Sequence, residues 1–229
     1  MRLAVFNGSP RGQASTTKIL LDHFLEGFAA TGGNAHETAY LNHVKDGDRF
    51  VESFRDAEHV LLAFPLYHDS VPAIVKTFIE SLEPLCGRAG NPSIGFLVQS
   101  GFPEAVQSRA VERYLEKLAR RLGCRYVGTL IKGNANRIEE QPGMMKKKVF
   151  TSFRELGRGF GETGEFDEQL VRKLAQPEKL PAVIRWVFRL MMLTPLANLG
   201  WNRQLKKNNA FAQRYARPYS SEKTTGGRG

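Results

Sequence analysis

Short apolar runs alternate with amphipathic stretches along the first 165 residues. Leu3-Ala4-Val5-Phe6 opens the series as a buried strand, and Ile19-Leu20-Leu21-Asp22-His23-Phe24-Leu25 reads as the first helix. A short strand is expected near 35–41, followed by a polar stretch and a short helix around 48–55. Val60-Leu61-Leu62-Ala63-Phe64 is a continuous apolar run, the mark of a central strand covered on both faces. The next helix starts near Pro72 and carries Val75, Phe78, Ile79 and Leu82, one stripe at helical spacing. Ile94, Phe96, Leu97 and Val98 mark a fourth strand over 93–99. Val111, Leu115, Leu118 and Leu122 line one side of a long helix that Gly123 stops. A fifth strand over 126–131, a loop over 132–143 and a final helix from about 144 to 160 complete the pattern.

Five strands alternating with five helices imply an α/β fold, a doubly wound five-stranded parallel sheet with helices on both faces. Ligands of such sheets sit at the carboxyl ends of the strands. The unusual loops of this chain follow strands one, three, four and five, so they converge on one place.

The first of them is the most informative. Phe6-Asn7-Gly8-Ser9-Pro10-Arg11-Gly12-Gln13-Ala14-Ser15-Thr16-Thr17-Lys18 joins a strand to a helix. That geometry gathers backbone N–H groups and the positive end of a helix dipole at one spot, a natural phosphate site. Ser9, Arg11, Ser15, Thr16 and Thr17 add hydroxyl and guanidinium donors. The loop has neither Gly-x-Gly-x-x-Gly nor a Gly-Lys-Ser/Thr at P-loop spacing. Its hydroxyl lining suits a terminal phosphomonoester rather than a bridging pyrophosphate, which needs glycines for close backbone approach. The plainer reading makes Ser15 or Thr16 an ordinary helix cap. One cap explains one hydroxyl; it leaves Ser9 and Arg11 over.

After the third strand, Pro65-Leu66-Tyr67-His68-Asp69-Ser70-Val71-Pro72-Ala73 offers an apolar and aromatic wall of the kind a flat ring system needs. Taken singly, Tyr67 packing on a helix and Pro72 starting that helix would explain the loop as well. Ser100-Gly101-Phe102-Pro103 supplies a tight turn with N–H groups and another ring after the fourth strand. Gly133-Asn134-Ala135-Asn136 adds polar reach, or simple turn chemistry, after the fifth.

Together, Asn7-Gly8-Ser9-Pro10-Arg11 with Ser15-Thr16-Thr17-Lys18, and Pro65-Leu66-Tyr67 with Pro72-Ala73 and Lys76, resemble the flavodoxin-like NAD(P)H-dependent FMN reductases. The resemblance spans about the first 165 residues. It implies strand order 2-1-3-4-5 and bound FMN as cofactor. Hydride from NAD(P)H would then pass to a small or lipophilic acceptor such as a quinone or nitroaromatic. It implies that Ser9, Arg11, Ser15, Thr16 and Thr17 hold the FMN phosphate. By the same resemblance Pro65, Leu66, Tyr67 and His68 lie against the isoalloxazine, and Ser100, Gly101 and Phe102 lie near its pyrimidine edge. Backbone N–H groups around Gly101 are the candidates for holding negative charge there. No side-chain acid or base is required of the protein, and no catalytic residue is assigned. A homodimer with the flavin near the subunit boundary is also implied. The cysteine-rich insertion of iron–sulfur flavoproteins is absent, so no such cluster is expected. Nothing in the sequence excludes FAD in place of FMN.

Composition changes this picture in one place. The 229 residues are 41% hydrophobic and 24% charged, as in a soluble globular protein. Cys86 and Cys124 have no metal-ligand spacing, and with the short apolar start they point to a cytoplasmic protein with free thiols and no metal site. The net charge of +10 is uneven: residues 1–165 hold 21 Lys/Arg against 19 Asp/Glu, while 166–229 hold 12 against 4. A helical, basic extension over 166–217 and a disordered tail over 218–229 are therefore expected beyond an FMN-binding domain over 1–165. Within the extension, 180–201 is the most apolar stretch, interrupted only by Arg185, Arg189 and a few small or polar residues. The protein body or a partner subunit is its first expected cover, and a membrane surface met through residues 180–207 the second. Two other functions compete: an electron carrier without its own nicotinamide site, and an anionic-surface or nucleic-acid binder using the basic tail. The nearly neutral core argues against the first. The lack of a groove-reading motif argues against nucleic acid as partner.

Overall fold

A computed structural model describes residues 1–135, 138–140 and 142–217. The strands are β1 (Arg2–Asn7), β2 (Ala35–Tyr40), β3 (His59–Pro65), β4 (Ser93–Gln99) and β5 (Tyr126–Lys132). They pair in parallel in the order β2-β1-β3-β4-β5. Phe6 lies beside Leu62, and Leu62 beside Phe96, so one apolar row crosses the middle of the sheet.

Because side chains alternate across a strand, neighbouring residues feed two cores. Phe6, Leu62, Phe64 and Phe96 pack under α2 (Gly47–Arg55), α3 (Ala73–Ser81) and α4 (Arg109–Leu122), through Phe54, Phe78 and Leu115. Val5, Leu61 and Leu97 face the other way, under α1 (Thr16–Ala29) and α5 (Gly143–Thr163), through Phe24, Phe28, Phe153 and Phe160. Every expected strand and core helix is present. Gly123 closes α4 in the left-handed conformation at φ 76°, as its place after the apolar stripe predicts.

Helices α1 and α5 meet almost backbone to backbone. A Cβ on Gly157 would stand 1.8 Å from the Phe24 carbonyl oxygen, and one on Gly27 would stand 2.0 Å from that of Arg154. These two glycines set the spacing of that layer.

The domain boundary moves. Phe166, Leu174 and Ala175 are buried, and the first compact unit runs Met1–Lys179 rather than stopping at 165. The cause is Phe166, whose ring fills space that β4 and β5 leave empty at Gly95 and Gly128; a Cβ on either would come within 2.8 Å and 3.3 Å of it. The short helix α6 (Glu168–Leu174) follows, capped by Asp167. Helices α7 (Ala182–Met192) and α8 (Leu199–Lys207) belong to a second unit, Leu180–Gly229. The tail expectation for 218–229 lies outside the described residues.

The two kinds of helical glycine predict opposite responses. Gly157→Ala forces backbone apart and is expected to destabilise by about 2–3 kcal/mol. Gly159→Ala meets nothing within 4 Å and is expected to stabilise by roughly 0.5–1 kcal/mol through helix propensity. Urea unfolding of both variants checks the pair; equal effects would refute the close contact.

Candidate active site at the carboxyl ends of the strands

The first loop is anchored before it offers anything to a ligand. The Gly8 N–H donates to the Ala63 carbonyl at 2.7 Å, and a Cβ there would stand 2.2 Å from Val75. Only glycine lets the chain leave β1 at this point. The buried Asn7 side chain turns back and accepts the Ser9 N–H at 2.9 Å. Gly12 takes the left-handed conformation at φ 52°, with Asn42 against its Cα hydrogens.

Ser15 is the cap of α1. Its hydroxyl donates to the Gly12 carbonyl at 2.6 Å and accepts the Lys18 N–H at 3.2 Å. The plainer reading of that hydroxyl thus holds alongside its place in the site. Capping leaves the Thr16 and Thr17 N–H groups without an acceptor inside the helix, and no acidic residue in the first turn neutralises the dipole.

The loop after β3 closes on itself. Tyr67 and Ser70 exchange backbone hydrogen bonds at 3.2 and 3.0 Å, with His68 at φ 47° and Asp69 at φ 59°. Two consecutive residues in the left-handed region make a mirror-image tight turn, and His and Asp are among the residues that tolerate it. The turn leaves Tyr67 exposed rather than packed on a helix, with Pro72 capping α3 one residue ahead of its first turn.

The later loops brace this one. Leu66 N–H donates to the Gln99 carbonyl at 2.8 Å, Ser100 N–H to Lys132 at 3.0 Å, and Ala135 N–H to Ser100 at 2.8 Å. Asn134 N–H donates to the Phe102 carbonyl at 2.7 Å. The Gly133–Ala135 stretch is therefore a buttress for the fourth-strand loop; Asn136 lies outside the described residues. Ser100 has used its N–H on β5, whereas those of Gly101 and Phe102 have no partner among the described residues.

These loops enclose a cavity of about 410 Å³. At one end stand Ser9, Arg11, Ser15 and Thr16; Pro65, Leu66, Tyr67 and His68 form a wall; Ser100, Gly101 and Phe102 complete it. Among the described residues, no carboxylate lines it. Tyr67 is 47% exposed and Phe102 42%, so two aromatic side chains stand open around it. Thr17 is the one expected residue that the structure sets apart. It is wholly buried, its Oγ1 has no partner among the described residues, and it does not line the cavity. One helical step of ~100° turns it inward while Thr16 faces the opening.

Gln99 joins the lining without having been foreseen. It is buried, and its Oε1 has no hydrogen-bond partner among the described residues. The signal available was a polar residue ending the run Ile94–Val98. Beside it in register, Lys132 is half-buried, donates from Nζ to the Gly133 carbonyl at 2.7 Å, and is held below the usual lysine range by burial. A hollow of about 440 Å³ at the opposite ends of β1 and β2 is lined by Arg2, Glu37, Arg49, Glu52 and Asp56. Its charges are of both signs, with Arg49 and Glu37 paired at 2.9 Å, and it faces the end of the sheet where such folds do not bind.

Residues 1–149 match the flavodoxin-like fold family, and the chain belongs to it. A search of curated proteins finds no match to the sequence. Among solved structures, an FMN-dependent NADH-azoreductase from Bacillus anthracis in complex with FMN is similar at TM-score 0.56 and 12% identity, over 70% of this chain and 100% of that one. An NAD(P)H:quinone oxidoreductase from Methanothermobacter marburgensis is similar at TM-score 0.55 and 17% identity, over 70% and 96%. The azoreductase AzrA is similar at TM-score 0.55 and 16% identity, over 70% and 100%. At these identities the likeness is one of fold.

The cap predicts a stability effect separate from any ligand. Ser15→Ala is expected to cost about 1 kcal/mol, and Thr16→Ala, whose hydroxyl does not cap the helix, less than about 0.5 kcal/mol. Thermal or urea unfolding without added ligand measures both; an unchanged Ser15→Ala variant would contradict the cap.

Proposed function

We propose that the chain is a flavin-dependent oxidoreductase that binds FMN in the 410 Å³ cavity and passes hydride from NAD(P)H to a small or lipophilic acceptor such as a quinone or nitroaromatic. One observation carries the reading. A single opening at the carboxyl ends of the strands joins a hydroxyl- and arginine-lined end, with no carboxylate among the described residues, to an exposed aromatic wall. Those are the two needs of a molecule with a phosphomonoester at one end and a conjugated ring at the other. The similarity to proteins named as FMN-dependent azoreductase and quinone oxidoreductase supports it.

The residues present fit that group. Arg11, the Ser9 and Thr16 hydroxyls and the first N–H groups of α1 would hold the phosphate, and the helix dipole would add to their field. Arg11 would do so as a charge-assisted donor. Pro65, Leu66, Tyr67 and His68 would give the ring an apolar bed, and Phe102, which lines the same cavity, would help keep water out. The Gly101 and Phe102 N–H groups and the Gln99 side-chain oxygen offer donors and an acceptor for the polar edge of the ring. When bound, FMN supplies the two-electron chemistry, taking hydride from a nicotinamide and giving it to an acceptor. The chain itself orients the ring, shields it and counters negative charge; no acid or base among its side chains is called on.

The purified protein should take up FMN with a shift of its visible bands, and NADPH or NADH should bleach them under anaerobic conditions. Uptake without bleaching would select the electron carrier instead. Arg11→Ala is expected to weaken FMN binding by about 10- to 100-fold, the worth of a charged hydrogen bond, while unfolding free energy changes by less than about 0.5 kcal/mol. No uptake by the unaltered chain, or equal losses of binding and stability in the variant, would end the proposal.

A further inference from the structure

The cavity accounts for nothing beyond residue 179, yet the second unit has a chemistry of its own. No residue of α7 is buried. Val183 is 74% exposed, Trp186 63% and Met192 68%. At ~100° per residue, Arg185 and Arg189 share one wedge of about 40°, while the large apolar side chains occupy an arc of roughly 240°. In α8, Leu199 and Trp201 are exposed as well. The charge is of one sign. Residues 180–217 contain Arg185, Arg189, Arg203, Lys206, Lys207, Arg214 and Arg217, and no Asp or Glu at all.

Three occupants can be weighed on those facts. A second copy of the chain meeting through the same patch sets like charges opposite one another, because a two-fold contact is self-complementary. An acidic protein groove covers one face of a helix, and here more than half of the circumference is apolar. A nucleic acid satisfies the charges but leaves the Trp, Phe, Met and Leu side chains in water. An anionic bilayer surface satisfies both: its fluid boundary wraps a wide apolar arc, and its phosphates meet a set of cations with no acidic residue to repel them. The eleven residues of α7 rise only ~16 Å. That falls well short of the ~30 Å hydrocarbon layer, and no helix among the described residues is long and apolar enough to cross a membrane.

We propose that residues 180–207 are a peripheral docking element for an anionic lipid bilayer. α7 lies in the plane of the interface, with Trp186, Val187, Leu190 and Met191 in the boundary between headgroups and acyl chains. Arg185 and Arg189 reach back along their apolar stems to the phosphates, and Arg203, Lys206 and Lys207 of α8 hold the same surface. Tryptophan is suited to that boundary, having a large apolar ring and one polar N–H.

The chain has two tryptophans, and both lie in this segment, so its intrinsic emission reports the event directly. The full-length protein is mixed with vesicles of phosphatidylcholine alone or with about 30% phosphatidylglycerol, a composition that gives an anionic surface. Co-sedimentation and a blue shift of emission are expected with the anionic vesicles, with affinity falling at least about tenfold on neutral ones. Replacing Arg203, Lys206 and Lys207 together by Gln is expected to weaken binding roughly 100-fold, since each cation near such a surface is worth about fivefold. An unchanged thermal midpoint shows that this variant folds. Equal binding to both vesicle types, or none to either, overturns the proposal. So does emission that is already blue-shifted in buffer and unmoved by lipid, which would place the segment under protein instead. None of these readouts involves flavin, so the outcome is independent of the function proposed above.

Discussion

The contact on which the rest of the site depends is the bond between Gly8 and Ala63. At 2.7 Å it joins the first residue beyond β1 to the middle of β3, with Val75 of α3 so near that no side chain fits between. The loop that carries Ser9 and Arg11 and the loop that carries Leu66 and Tyr67 are therefore set by one point of the sheet. A change there moves both walls of the cavity at once. Glycine at that position is a matter of space, whereas glycine at position 12 is a matter of backbone conformation, its φ being 52°.

Beyond that point the parallel pairing continues past the strands as single hydrogen bonds from loop to loop. Leu66 leans on Gln99, Ser100 on Lys132, and Ala135 on Ser100. Each loop passes its position to the next, so the aromatic wall and the turn at Gly101 are held by the edge strand β5 as well as by their own elements. This bracing supports the two left-handed residues His68 and Asp69, a conformation that a free loop would relax. It also explains why N–H groups remain at Gly101 and Phe102: the neighbouring donors are already committed to the frame.

The sheet and its helices were legible because each strand is a compact apolar run and each core helix repeats at helical spacing. The cavity was legible because ligand contacts in a doubly wound fold come from consecutive stretches after strands, where composition shows them. What escaped was decided by side-chain direction and by single long-range contacts. Thr16 and Thr17 look alike in sequence, and only the helix phase sends one to the opening and the other into the core. Gln99 looked like the end of a strand. Phe166 belongs to no periodic pattern, so the core was expected to end at 165, although that one ring fills the space over two glycines, Gly95 and Gly128, in different strands.

Ser15 shows why the competing readings of the first loop were never exclusive. Its hydroxyl is used by the chain, donating to Gly12 and accepting from Lys18. A cap of that kind fixes the direction of the first helical turn, and direction is what an N–H group needs in order to act on an anion. In the proposed site the hydroxyl's part is to hold the Thr16 and Thr17 amides in line, its own proton being given to the Gly12 carbonyl. Ser9 and Arg11 differ in kind. Among the described residues the Ser9 side chain accepts only a long 3.4 Å contact from the Arg11 N–H, and Arg11 extends from an exposed turn beside a cavity that none of their carboxylates lines. The residue that sequence statistics would call a cap carries architecture, and the proposed anion recognition falls to the ones those statistics leave unexplained.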